Sequence, residues 1–186
     1  TDLNSTIAEK IEEAELDPDE TALLDKLLGK DYEVITADER LNKIAADFVE
    51  HCATRWQSGK AMLVCIDKIT CARMYQRIIP LWEMKVAAVR GAAEAKRTEA
   101  AKTADADERL ILLEQARKLE AQAQWLEETT IAIIISEAQN EVAEFKRWDF
   151  DIIPHRALMK KGFETADGKR IDVETAFKDP KHPFRV

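Results

Sequence analysis

Two short polar loops hold most of the residues in this 186-residue chain that could do chemistry, and each directly follows an apolar run. The first, Asp67-Lys68-Ile69-Thr70, follows Ala61-Met62-Leu63-Val64-Cys65-Ile66. A lysine and a hydroxyl at a helix N-terminus suit a phosphate, because free backbone N–H groups and the helix dipole favour an anion there. Lys68, Thr70 and the nearby Arg73 are therefore candidates for contact with a phosphate, that of a nucleic-acid backbone included. An ordinary N-cap by Asp67 explains the same residues without a ligand. The second loop, Ser136-Glu137-Ala138-Gln139-Asn140-Glu141, follows the run Ile131–Ser136 and makes Ser136 and Asn140 candidates at the equivalent place. Here too a bland account exists, with Ser136 as N-cap and Gln139 at the capping-box position.

Other constellations fail on spacing. Gly59-Lys60 lacks the glycine five residues earlier and the Ser or Thr that a phosphate-binding loop needs, having Thr54 and Ala61 there. It also precedes an apolar run where the motif follows a strand, so a turn is the better reading. His51, His155 and His182 share no metal-ligand spacing. Cys52, Cys65 and Cys71 are odd in number and lack a CxxC pair, which argues against a disulfide framework or a zinc site. The expected setting is reducing and cytoplasmic. No apolar run approaches membrane-spanning length.

Charge is uneven along the chain. The net charge is −8, but residues 1–50 hold 15 carboxylates against five basic side chains. Over residues 51–82, Arg55, Lys60, Lys68, Arg73 and Arg77 oppose Asp67 alone. Such asymmetry permits a phosphate-facing surface, and a solvated face explains it equally.

The elements that must position these loops are mostly helical. Only five glycines and five prolines against 34% charged residues favour long helices. Helices are predicted from Asn4 or Ser5 to Leu16, from Asp17 to Gly29, and from Thr36 or Asp38 through Cys52, with Tyr32–Ile35 an extended link. Residues 1–58 then read as helical scaffold or linker. The two apolar runs have the length of strands covered on both faces, each followed by a helix: Asp67–Ile79, and Glu137–Arg147 with Val142, Phe145 and Trp148 inward. That pattern predicts parallel βα units over 59–82 and 129–186. Between them, 83–128 reads as an antiparallel helical hairpin insert turning at Lys102–Ala106. Pro80 bends or ends the helix before it. Small residues Ala87, Ala88, Gly91, Ala92 and Ala95 would let it face Leu110, Leu113, Ala116, Leu119, Ala123 and Leu126 at close range.

Several runs resemble the second RecA-like lobe of type I restriction motor subunits. They are Arg55 with Gly59-Lys60-Ala61-Met62-Leu63-Val64-Cys65-Ile66 and Ala72-Arg73-Met74-Tyr75, then Ile131–Ser136 with Asn140-Glu141 and Phe145. Asp151-Ile152, Pro154-His155-Arg156 and Met159 follow in the family's order, as do Phe177-Lys178-Asp179-Pro180 and Phe184-Arg185-Val186. The resemblance implies an α/β, helix-rich fold: a partial RecA-like parallel sheet carrying the hairpin. It implies that the chain is a fragment of an ATP-dependent DNA translocase and type I site-specific deoxyribonuclease of helicase superfamily 2. ATP and Mg would serve the parent subunit, with no cofactor in this fragment. Double-stranded DNA and the specificity and methylation subunits would be the parent's partners, with no membrane. Asp67–Thr70 would correspond to helicase motif IV, although Asp67-Lys68 stands where relatives often have Ser-Arg. The nucleotide-binding motifs, nuclease carboxylates and transition-state arginines are absent, so the fragment alone is expected to be inactive. The resemblance also implies a parent gene that runs on past Val186. Two other readings stand beside it. A helical adaptor acting through its hairpin explains the insert and leaves the apolar runs aside. A small flavodoxin-like enzyme would need more strands and a phosphate-binding loop after the first.

Overall fold

The computed structural model describes residue 26, residues 31–165 and residues 167–186. The helices expected over 4–16 and 17–28 fall outside the described residues, residue 26 apart. Residues 31–35 are helical where an extended link was expected. The Thr36 N–H and hydroxyl both donate to the Tyr32 carbonyl, at 2.9 and 2.8 Å, and the Tyr32 phenol donates to Asp67 at 2.7 Å. These contacts override the strand preference of Tyr32, Val34 and Ile35.

Helix α1, Asp38–Thr54, buries Leu41, Ala45, Val49, Cys52 and Ala53 along one stripe. It starts after Ala37 with no side-chain cap, neither Thr36 nor Asp38 supplying one, and Asp38 and Glu39 in its first turn complement the helix dipole instead. A short 3-10 turn, Trp56–Ser58, follows.

Helix α2, Lys68–Lys102, has 35 residues, a length of about 52 Å at the standard rise. Asp67 caps it, accepting from the Thr70 N–H at 2.6 Å and the Thr70 hydroxyl at 3.1 Å. It runs through Pro80 without ending. The proline is exposed, so water can reach the carbonyl that it deprives of a donor, while Ile78 and Trp82 beside it are buried. Three residues turn the chain into α3, Ala106–Glu128, which Asp105 caps by accepting from the Glu108 N–H at 2.8 Å.

The hairpin therefore forms, with the expected Ala116, Ala123 and Leu126 inward on α3 but a different face inward on α2. Trp82, Val89, Ala93 and Ala100 of α2 are buried, as are Leu112, Ala116, Ala123 and Leu126 of α3. Ala87, Ala88, Gly91, Ala92, Ala95, Leu110 and Leu113 are exposed. Both helices carry more than one apolar stripe, and a tertiary contact chooses between them. The Trp82 indole donates to the Leu126 carbonyl at 2.9 Å in the buried interface, which fixes the rotation of α2 about its axis.

The predicted parallel sheet is not formed, and this overturns the RecA-like fold. Among the described residues the ladder is a two-stranded antiparallel sheet, β1 (Phe163–Glu164) with β2 (Arg170–Ile171), pairing Phe163 with Ile171 and Glu164 with Arg170. The runs 61–66 and 131–136 form no regular strand. Their backbone partners come from the C-terminal segment: Ala61 N–H donates to Arg185 at 2.8 Å and Ala132 N–H to Val186 at 2.9 Å, beside one bridge between Thr130 and Phe184. An apolar run of strand length specifies burial, and becomes a strand only where a neighbour pairs along it.

Helix α4 is Glu141–Lys146, shorter than the 137–147 expected, because Asn140 precedes it with φ 59° and Ser136 does not cap it. Phe145 is buried, but Val142 and Trp148 are exposed. Helix α5, Ile153–Lys161, carries Pro154 in its first turn. It ends at Gly162, whose φ of 66° and closeness to the Ile171 carbonyl exclude a side chain there. Helix α6, Val173–Lys178, is capped by Asp172.

Two apolar clusters result. The first joins α1, the proximal part of α2 and the end of α3. The second joins Ala72, Ile133, Phe145, Phe150 and Ile152. Beyond Ala93 the hairpin is a two-helix arm whose buried residues, Ala93, Ala100, Leu112 and Ala116, belong to neither cluster.

Candidate interaction surfaces

The residues expected to touch DNA are largely engaged inside the protein. Thr70 is buried and its hydroxyl donates to Asp67. Arg73 is buried too. Its guanidinium donates to the Thr36 carbonyl at 2.7 Å and to Asp38 at 2.9 Å, and lies 5.0 Å from the centre of the Trp148 ring. Arg73 and Arg77 together hold the Asp38 carboxyl below its ordinary range, the hydrogen bond from Arg73 counting most. This tie fastens the start of α1 to α2. Lys68, on the first turn of α2, is partly buried and close enough to Glu141 to stabilise its carboxylate.

The loop after the second apolar run does lie beside the first, and an ion pair from another helix organises it. Arg156 of α5 donates to both Glu141 oxygens, at 2.7 and 2.6 Å, and to the Ile135 and Ser136 carbonyls at 3.0 and 3.2 Å. Glu141 also accepts from the Ala138 N–H at 3.1 Å. The hydrogen bond from Arg156 holds the Glu141 carboxyl below its usual range against the opposing effect of burial. Ser136 thus contributes its carbonyl to an internal clasp, and Asn140 contributes a left-handed turn. Sequence reasoning noted Arg156 only within a matching run. Its buried partner lies 15 residues earlier, a distance that local pattern does not link.

The remaining sequence candidates also have structural roles. Lys60 donates to the Ala176 carbonyl at 2.7 Å and lies over the Phe177 ring, tying the turn before the first run to α6. His155 packs against Tyr75 and Phe150, and burial holds its imidazole below the ordinary value. Among the described residues no His, Cys, Asp and Glu group is placed to hold a metal ion, and no helix is long and apolar enough to cross a membrane.

The arm offers a different kind of surface. Leu110, Ile111 and Leu113, 63%, 59% and 38% exposed, are aliphatic side chains that the first turns of α3 leave in water. Asp105, Asp107, Glu108 and Glu114 flank them along the chain, with Arg109 the one cation of that stretch. On another side of the arm, Arg90–Glu127 and Arg97–Glu120 ion pairs bridge a polar groove.

Compared with known proteins, the chain matches no family model, no curated protein and no solved structure. Neither fold nor relatives therefore support the resemblance to a type I restriction motor, with its helicase superfamily 2 engine, ATP binding and DNA cleavage. The architecture defines a helix-dominated domain with a projecting two-helix arm.

Proposed function

We propose that the chain is a helical interaction module in which the α2–α3 arm presents Leu110, Ile111 and Leu113 to a partner protein. The observation that carries this reading is the exposure of Leu110, Ile111 and Leu113 on the part of the arm whose buried residues belong to neither core cluster. Large aliphatic side chains left in water on one short segment cost solubility and are characteristic of contact sites. The four carboxylates around them indicate the partner's chemistry: an apolar groove rimmed by lysine and arginine, which steers association and disfavours wrong partners. Free thiols at all three cysteines fit a reducing compartment such as the cytoplasm.

The test compares the full chain with Ile111→Glu, a change at an exposed position. Both are used as baits in extract from the source cell, at about 0.01 M and at about 1 M salt, between which the Debye length falls from about 30 Å to about 3 Å. The reading expects a protein retained by the wild type, released by salt and lost with Ile111→Glu while the unfolding temperature stays unchanged. Identical retention by the two baits would refute it.

A further inference from the structure

Successive backbone oxygens of the segment 183–186 are taken by different apolar runs. The Arg185 carbonyl accepts from the Ala61 N–H at 2.8 Å, and the Val186 oxygen accepts from the Ala132 N–H at 2.9 Å. Successive peptide groups of an extended chain point to opposite sides, so this segment lies between the two runs and holds them two strand spacings apart, about 10 Å. On the side of 131–136 the pairing is parallel, a bridge of Thr130 with Phe184. There the Thr130 N–H donates to the Pro183 carbonyl at 2.7 Å and the Arg185 N–H to the Thr130 carbonyl at 3.2 Å.

Past these bonds the two walls go on without a strand between them. Exposure alternates residue by residue over 61–65 and over 133–136, which is the period of an extended chain. Leu63 and Cys65 therefore turn their N–H and C=O groups to the same side as Ala61, and Ile134 turns its own to the side of Ala132. Among the described residues, none of these groups has a protein partner. The far side of 131–136 is occupied: the Ile135 N–H donates to the Met159 sulfur at 3.4 Å, and the Ile135 carbonyl accepts from Arg156 at 3.0 Å. With Ile135 turned to α5, its neighbour Ile134 faces the gap. The side chains along the gap are apolar on both faces. Leu63 and Cys65 pack on the first core cluster and Ile133 and Ile135 in the second, while Met62, Val64 and Ile134 stand exposed on the other face.

We propose that the gap between 61–66 and 131–136 is a strand-addition site, which takes an extended aliphatic segment of a partner protein parallel to 131–136. Unpaired N–H and C=O groups on two walls spaced for one strand specify backbone pairing, and pairing on both edges gives the affinity. The side chains specify the composition. A segment covered on one face by the two clusters and flanked on the other by Met62, Val64 and Ile134 is apolar at every position, as in a strand buried on both sides. The site is separate from the arm and from Leu110, Ile111 and Leu113.

The experiment uses the full chain and a fluorescein-labelled peptide of alternating valine and isoleucine, with two lysines at its end for solubility. Fluorescence anisotropy should show saturable binding, lost when the same peptide is N-methylated at every second residue. Amide hydrogen exchange followed by NMR supplies the geometry. The Leu63, Cys65 and Ile134 amides should exchange freely in the chain alone and at least about tenfold more slowly with the peptide, while those of Met62 and Val64, which point away, should not change. Leu63→Pro deletes one facing N–H and should weaken binding about tenfold or more, whereas Ile111→Glu should bind as the wild type does. Equal binding of the N-methylated peptide would mean apolar adhesion without pairing and would overturn the proposal. So would slow exchange of the three amides in the chain alone, at low concentration if the chain itself fills the gap or only at high concentration if a second copy does.

Discussion

Replacing Arg156 by Met should be among the most destabilising single changes available in this chain. Arg156 gives Glu141 two charge-assisted hydrogen bonds of 2.7 and 2.6 Å, with side chains only 13% and 8% exposed. Removing one partner of a buried pair leaves a carboxylate that has lost water and gained nothing, at a cost of about 3–5 kcal/mol. Glu141 would keep the Ala138 N–H, which favours the lower end, about 3 kcal/mol. The Ile135 carbonyl would lose its donor as well, adding roughly 1 kcal/mol. For a chain of this size each kcal/mol shifts the midpoint by about 2–4 °C, so thermal unfolding followed by circular dichroism should fall by roughly 6–16 °C. Adding Glu141→Leu to Arg156→Met should recover a good part of that loss, because no charge is then stranded. The acid side supplies a second readout. Arg156 depresses the Glu141 carboxyl in the folded state, so the associated stability is complete above the ordinary value of 4.5 and disappears as pH falls below it toward the depressed one. Arg156→Met should flatten that part of the stability–pH curve. A cost below about 1 kcal/mol, or strict additivity of the two substitutions, would show that the clasp is a surface contact of little weight.

Three further outcomes follow from local geometry. Gly162→Ala forces a methyl group toward the Ile171 carbonyl at a φ of 66° and should cost about 3 kcal/mol in urea unfolding; a loss under 1 kcal/mol would mean that the α5–β1 junction relaxes freely. Asp67→Ala removes the cap of α2 and the acceptor of the Tyr32 phenol, and should cost about 1–2 kcal/mol, whereas Asp67→Asn should retain most of the cap. Joining Arg97 to Glu120 through a short glycine linker, in place of residues 98–119, should preserve cooperative unfolding, because the paired ends are already adjacent and the deletion removes only the peripheral Leu119 from the first core cluster. Loss of a single sharp transition in that variant would show that the arm supports the core.

Helices were the legible part of this sequence, because their information is local. Asp67 and Asp105 are N-caps three residues before the N–H they satisfy, and Pro154 marks the start of α5. Rotation and pairing were not legible. Leu110 and Ala87 fit an inward stripe as well as Leu112 and Val89 do, and the deciding bond joins Trp82 to Leu126, 44 residues away. The two apolar runs failed in the same way. Their composition is that of buried strands, but Met62 and Val64 are 75% and 79% exposed and a full ladder does not form beside them. The sequence placed each candidate loop directly after its apolar run and did not show that Lys68 and Glu141 come close together. The chemistry of the loops was misread, because the partners of Thr70, Arg73 and Ser136 are either the bland cap or residues 20 to 37 positions distant.

The proposed interaction role rests on how the arm packs. Its buried face beyond Ala93 is built from alanines and Leu112, which allow two helices to approach closely but remove little apolar surface from water. Its larger aliphatic groups, Leu110, Ile111 and Leu113, face outward instead. A hairpin selected only for its own stability would have the reverse arrangement, since rotating α3 to bury Leu110 and Leu113 would exchange small contacts for large ones. The Trp82 bond and the Ala116 and Ala123 contacts hold the helix against that rotation. Substituting Ala116 by Leu should therefore strain the arm while Ile111→Ser should stabilise or leave it unchanged, with helix content and unfolding temperature as the measurements. A marked loss of stability in Ile111→Ser would place that side chain in the fold's own core and remove the basis for a partner at this patch.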